Sequence, residues 1–308
     1  MKRNRSIRAM LAFSLMFGSL SLFIGCGGGG SSATTPIGTG GTTGSNGMIN
    51  GTAVKGPVNG GTVMAYAINN GTMGTQLASG TTDAQGNFSI SIGDYSGPVM
   101  LQMSGGTYID EATGAAESMA SGDVMTAVIP AVSSGVSVTG IQMTPLTSMA
   151  QVMAYNMAGG MTAANVTAAN MTIGNYFMVS DILHTQPMNP LEPGSGTGTT
   201  GDMRNYGMAM AAMSQYAHDM GMSSSSGMVT AMMNDASDGD MNGMMGGTSI
   251  TMGGGMMGGA TMQSTAGTSG LAGAMTTFLG STMNKSGLTT SDMQTLMDHL
   301  NASSGTIQ

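Results

Sequence analysis

Between Met48 and Thr144 apolar and polar residues alternate over short runs, and turn-forming residues cut the pattern at intervals of about ten. Thr62–Ile68 sets Val63, Ala65 and Ala67 on one side and Met64, Tyr66 and Ile68 on the other. Asn87–Ile92 sets Phe88, Ile90 and Ile92 against Asn87, Ser89 and Ser91, the signature of a half-buried strand. Pro98–Ser104, Asp123–Ile129 and Val136–Met143 continue the series, with Asn69-Asn70-Gly71, Gln85-Gly86-Asn87 and Gly105-Gly106 as turns. About seven strands over about 95 residues predict an antiparallel β-sandwich.

At Thr144-Pro145-Leu146 the period changes from two to about three and a half. Thr144 suits a helix cap and Pro145 the first helical position, and Leu146, Met149, Met153 and Met157 then share a face until Gly159-Gly160. A second helix starts at Thr162 and runs through Val166, Ala169, Ile173 and Phe177. After a loop with Pro187, Pro190 and Pro193, a third begins near Asp202, with Met203, Tyr206, Met210, Met213, Ala217 and Met220 on one face. A short helix is expected over Met228–Asn234 and a longer one over Gly270–Asn284, with Leu271, Met275, Phe278 and Leu279 inward. The last is capped by Thr289, with Leu288 and Met293 as its hydrophobic staple and Leu296, Met297 and Leu300 buried. The expected fold class is α+β: an N-terminal antiparallel β-sandwich followed by a C-terminal α-helical bundle.

Ahead of both lies a different kind of segment. Lys2, Arg3, Arg5 and Arg8 precede Ala9–Ile24, which is apolar apart from three serines, and this reads as a secretory signal. The run ends at Leu22-Phe23-Ile24-Gly25-Cys26, which resembles the lipobox of bacterial lipoproteins. That resemblance implies cleavage after Gly25 and acylation of Cys26. Phe23 stands where the family usually has leucine, and Gly27 is not the aspartate that retains many lipoproteins at the inner membrane, so the outer membrane is the expected address. Cys26 is the single cysteine, so no internal disulfide can form in an exported chain. Gly27–Gly47 carries a single aliphatic side chain larger than alanine, Ile37, besides its proline, and reads as a flexible tether reaching ~25 Å. The expected divisions are 1–25 signal, 26–47 lipidated cysteine and linker, 48–144 sandwich, and 145–308 Met-rich helical part with a Gly/Met-rich loop at about 236–268.

Composition narrows the partners. Past residue 25 only Lys55, Arg204 and Lys285 are basic, against 15 carboxylates. That excludes nucleic acid, which needs cations to displace its counterions, and leaves membrane contact to the anchor. The expected partners are membrane lipid through the N-terminus and an envelope protein or glycan.

The run Gly51–Gly61 (GTAVKGPVNGG), with Thr62-Val63 and Thr81–Phe88 (TTDAQGNF), is similar to carboxypeptidase regulatory-like domains, small transthyretin-like sandwiches. In that resemblance Asp83 and Gly86 shape a hairpin turn and Phe88 plugs one end of the core. Such domains are spacers and scaffolds, not peptidases, and some of similar shape bind carbohydrate. Thr107–Gly114, Pro145–Thr147 and Ser180–Leu183 also resemble the strand-then-helix arrangement of bacterial surface lipoproteins, which implies no activity.

Candidate chemistry is sparse. Methionine is abundant, 38 residues, and clustered thioethers can hold Cu(I). Met241, Met244, Met245, Met256 and Met257 with His218 are the candidate soft-metal ligands. Oxidant buffering is an alternative use of exposed methionines, and core filling is another, because Met outnumbers Leu and Ile together and sits on the helix stripes. Asp238, Asp240 and Asn242 match the start of an EF-hand loop, but its twelfth position is Ser249 and not a bidentate Glu. His184, His218 and His299 are scattered, and Asp110-Glu111, taken as strand residues, should point to opposite faces. No cofactor and no catalysis are expected. The reading is a lipid-anchored outer-membrane protein serving as a structural, spacer or interaction module, with soft-metal or glycan binding as the alternative.

Overall fold

The alternating run that begins at Thr62 turns back on itself through Asn70 and Gly71, at φ 51° and 74°. Two successive left-handed residues match the twist of a tight hairpin, and Asn and Gly accept that conformation most readily. The computed structural model describes residues 46–252 and 260–307. The signal, Cys26, the tether up to residue 45, Met256 and Met257 lie outside the described residues.

The first part of the chain is β-rich: β1 (Gly47–Ala53), β2 (Thr62–Asn69), β3 (Thr72–Thr81), β4 (Asn87–Gly93), β5 (Gly97–Ser104), β6 (Thr107–Ile109), β7 (Ala116–Ser118), β8 (Val124–Val132) and β9 (Val138–Met143). Then come α1 (Pro145–Asn156), α2 (Ala163–Tyr176), α3 (Gly201–Asp219) and α4 (Ser226–Ala236). Two small ribbons, β10 (Met244–Met245) with β11 (Thr248–Ser249) and β12 (Thr251–Met252) with β13 (Ala260–Thr261), precede α5 (Ser269–Leu279) and α6 (Thr290–Ala302). The fold is mixed α+β. The expected Gly/Met-rich loop thus contains ordered ribbon pairs.

One sheet has the order β3-β2-β5-β8, antiparallel throughout, and a second has β4-β1-β9. In the second, β1 pairs antiparallel with β4 but parallel with β9, a departure from the all-antiparallel expectation. Strand β4 keeps the alternation its sequence foretold: Phe88, Ile90 and Ile92 are buried while Asn87, Ser89 and Ser91 are exposed. Strand β8 does not alternate. Its Met125–Ile129 stretch is buried on both faces, because α1 covers the side a free sheet would show to water.

That helix is bonded to the strand it covers. The Thr126 N–H donates to Ser148 Oγ at 2.9 Å, and the Thr147 hydroxyl donates to the Thr126 carbonyl at 2.8 Å. Thr144 caps α1 as expected, in a reciprocal box with Thr147, and Pro145 occupies the first turn. The methionine stripes enter the core: Met149, Met208, Met213, Met228, Met232 and Met275 are fully buried. All described residues belong to one compact unit, and none of their helices is long and apolar enough to cross a membrane.

Candidate functional site

The most concentrated polar chemistry among the described residues is a buried cluster where the end of β1, the β6–β7 ribbon and helices α3 and α4 meet. After β1 the chain makes a tight turn in which Val54 bridges Pro57, and this turn carries Lys55 inward. Gly56 permits it: its φ is 60°, and a Cβ there would stand 2.3 Å from the Ile109 carbonyl oxygen. Asn59 and Thr107 exchange backbone hydrogen bonds at 2.7 and 2.9 Å, so the Lys55 turn is held beside β6.

Lys55 is fully buried, and its ammonium donates to Glu111 Oε2 at 2.8 Å and to Ser214 Oγ. Ser214, from α3, donates in turn to Glu111 Oε2 at 2.6 Å, while Glu111 Oε1 takes the Gly56 N–H at 2.8 Å. Asp110 Oδ2 is 3.8 Å from the ammonium and accepts the Ser225 hydroxyl at 2.5 Å. Its other oxygen, Oδ1, accepts three bonds of 3.0 Å, from the Ala112 and Thr113 N–H groups and the Thr113 hydroxyl. The Tyr108 ring closes the cluster, its centroid 5.1 Å from Lys55 Nζ.

Charge balance follows from these contacts. Burial pulls the Lys55 pKa down, but the Glu111 and Asp110 carboxylates outweigh it and leave it above the ordinary lysine value. For Asp110, burial pushes upward, and the Lys55 charge followed by the Ser225 and Thr113 bonds holds the carboxyl below its usual range. Burial raises the Tyr108 phenol. Lys55 is therefore held as a cation in this arrangement, with Glu111 Oε2 the carboxylate oxygen nearest its protons.

The start of α4 is seated on the same ribbon. The Tyr108 hydroxyl accepts the Ser226 N–H at 3.1 Å and donates to Glu117 Oε2 at 2.9 Å. The Ser226 and Thr230 hydroxyls donate to Asp123 at 2.6 and 2.8 Å. The serine run thus spends its hydroxyls on the strand-rich half, which is why Ser225 makes no side-chain cap on its own helix.

This cluster corrects one expectation. Asp110 and Glu111 do not sit on a strand with opposed side chains. Strand β6 ends at Ile109, and in the turn that follows both carboxylates face Lys55, each 2% exposed. The sequence carried one usable signal: Lys55 is the single cation between residues 48 and 144, and its neighbours Val54, Pro57 and Val58 are apolar.

The residues singled out for metals lie elsewhere. Met241 is fully buried, its N–H donating to the Gly305 carbonyl at 2.7 Å and its side chain packed on Gly267. Met244 is 39% exposed on β10, next to the half-buried Met245, and the His218 side chain is 57% exposed on α3. Asp238 spends Oδ2 on the Gly246 N–H at 2.7 Å, Asn242 spends its side-chain oxygen on the Met244 N–H at 3.0 Å, and Asp240 bridges Thr306. These polar groups shape a turn. Among the described residues no three His, Cys, Asp or Glu side chains group as metal ligands.

The carboxylate that organises this turn is Asp235 of α4, which sequence reading missed. Its Oδ1 accepts the Asn242 and Gly243 N–H groups at 3.0 and 2.7 Å, and its Oδ2 has no hydrogen-bond partner among the described residues. Burial pushes its pKa up to about 7, against the backbone bonds that lower it and with a small upward push from Asp238.

No family model and no curated protein matches the chain. Among solved structures it is similar to a 9R-lipoxygenase from Cyanothece, at 11% identity and a TM-score of 0.20, over 66% of this chain and 26% of the lipoxygenase. The chain spans about a quarter of that protein's length, and a likeness this low carries no argument about fold or activity.

Proposed function

We propose that this chain is a lipid-anchored cell-envelope protein, held by Cys26 at the outer membrane and acting as a structural, spacer or interaction module without catalysis. One observation carries the reading: the only cysteine stands directly behind a charged-then-apolar leader and a small residue, with a glycine-rich stretch after it. The finer architecture, a sandwich of carboxypeptidase regulatory-like type followed by a helical bundle on a flexible tether, belongs to the same proposal. The two-sheet arrangement and the Asp83–Asn87 turn support it: Asp83 Oδ1 accepts the Gln85 and Asn87 N–H groups at 2.9 and 2.8 Å, Gly86 has φ 79°, and Phe88 is 4% exposed.

The buried cluster supports a structural role. Its hydroxyls, carboxylates and ammonium are spent on one another, and it fastens the strand-rich part to α3 and α4 from within. Fractionation of cells expressing the wild-type chain and Cys26→Ser tests the anchor. The wild type should sediment with membranes and the variant should be released, and equal release of both would overturn the reading.

A further inference from the structure

We propose that Lys55 and Asp110 condense within the folded chain into an isopeptide bond between Lys55 Nζ and Asp110 Cγ, with Glu111 as the proton acceptor. The three groups are placed for this. Nζ is 3.8 Å from Asp110 Oδ2 and 2.8 Å from Glu111 Oε2, and all three side chains are at most 2% exposed. The two oxygens of Asp110 are also treated differently by their surroundings. Oδ1 sits in a cradle of two N–H groups and one hydroxyl, each at 3.0 Å, which suits an oxyanion. Oδ2 faces the Ser225 hydroxyl at 2.5 Å, which suits an oxygen that must leave with protons.

The step balances without any outside reagent. Glu111 takes a proton from the ammonium and frees the nitrogen lone pair, which attacks Asp110 Cγ. The C–N bond forms while charge gathers on Oδ1. The Cγ–Oδ2 bond then breaks and Oδ2 departs as water, carrying the two protons shed by nitrogen, the first by way of Glu111. One ammonium and one carboxylate become one amide and one water, and Glu111 ends as it began.

Enclosure favours the product. Fixed positions turn an otherwise bimolecular amide formation into an intramolecular one. With its one cysteine at position 26, the chain has no internal disulfide open to it, and this bond would tie the turn after β1 to the turn after β6. The proposal stands whether or not Cys26 is acylated.

Peptide mapping of the purified full chain tests it, using pepsin under denaturing conditions and tandem mass spectrometry. The expected result is a bridged pair of peptides containing Lys55 and Asp110, lighter than their sum by the mass of one water. Glu111→Gln should yield the two peptides separately while retaining the wild-type circular dichroism spectrum. Separate, full-mass peptides from the wild type would overturn the proposal even if the variant fails to fold. A bridge from Lys55 to Glu111 would overturn the assignment of roles.

Discussion

The Tyr206 hydroxyl lies 2.6 Å from Thr144 Oγ1 and donates to the Ile182 carbonyl at 2.9 Å, so the cap of α1 is bonded to the interior of α3. Tyr206 is fully buried, and burial raises its phenol pKa well above the ordinary value. Tyr206→Phe keeps the ring but leaves the Ile182 carbonyl without this donor. We expect a loss of about 1–3 kcal/mol in urea unfolding, the cost of orphaning buried polar groups. An unchanged midpoint would show that the bond contributes nothing.

Asp235 makes stability depend on pH in an unusual sense for a carboxylate. Burial lifts its folded pKa to about 7, above the ordinary aspartate value, so between the two the folded chain holds a proton that the unfolded chain releases. Stabilisation from this group is full below about pH 4 and is lost as pH rises to about 7, a change of up to about 4 kcal/mol. Asp235→Asn cannot titrate, and its unfolding free energy should lack this component. Parallel wild-type and variant curves from pH 4 to 8 would contradict the assignment.

Lys55→Met removes the nitrogen that balances two buried carboxylates, whether it stands there as an ammonium or is joined to Asp110, and leaves both carboxylates free. The expected cost is about 3–5 kcal/mol, because uncompensated charge remains in the interior. Chemical denaturation reads it directly, and a loss below 1 kcal/mol would mean that the carboxylates find other compensation.

Gly56→Ala should destabilise by about 1–3 kcal/mol, since the turn demands a positive φ and the new Cβ would meet the Ile109 backbone oxygen at 2.3 Å. Gly60→Ala is the control. It has φ 70° with nothing within 4 Å, so it carries conformational strain without the clash. Equal losses in the two variants would remove the steric part of the argument.

Local chemistry made the turns and caps readable from sequence. Asn70-Gly71, Asp83 with Gly86, Thr144 with Pro145, and Thr289 with Asp292 all act where the residue types say they should. Strand β3 was not readable, because as an edge strand with mostly exposed or half-buried positions it shows no apolar alternation. The parallel pairing of β1 with β9 joins residues about 90 positions apart, which local pattern does not encode. The buried cluster escaped for a related reason. Whether Asp110 and Glu111 converge or diverge depends on where β6 stops, and a strand boundary shifted by one residue reverses the answer.

The lipid anchor is the claim on which the proposed role depends, and the mass of the N-terminal peptide of the protein taken from its native membrane tests it most directly. The account predicts a chain that begins at Cys26 and carries acyl chains on that residue. A Cys26 without acyl chains, or a peptide still containing residues 1–25, would contradict it.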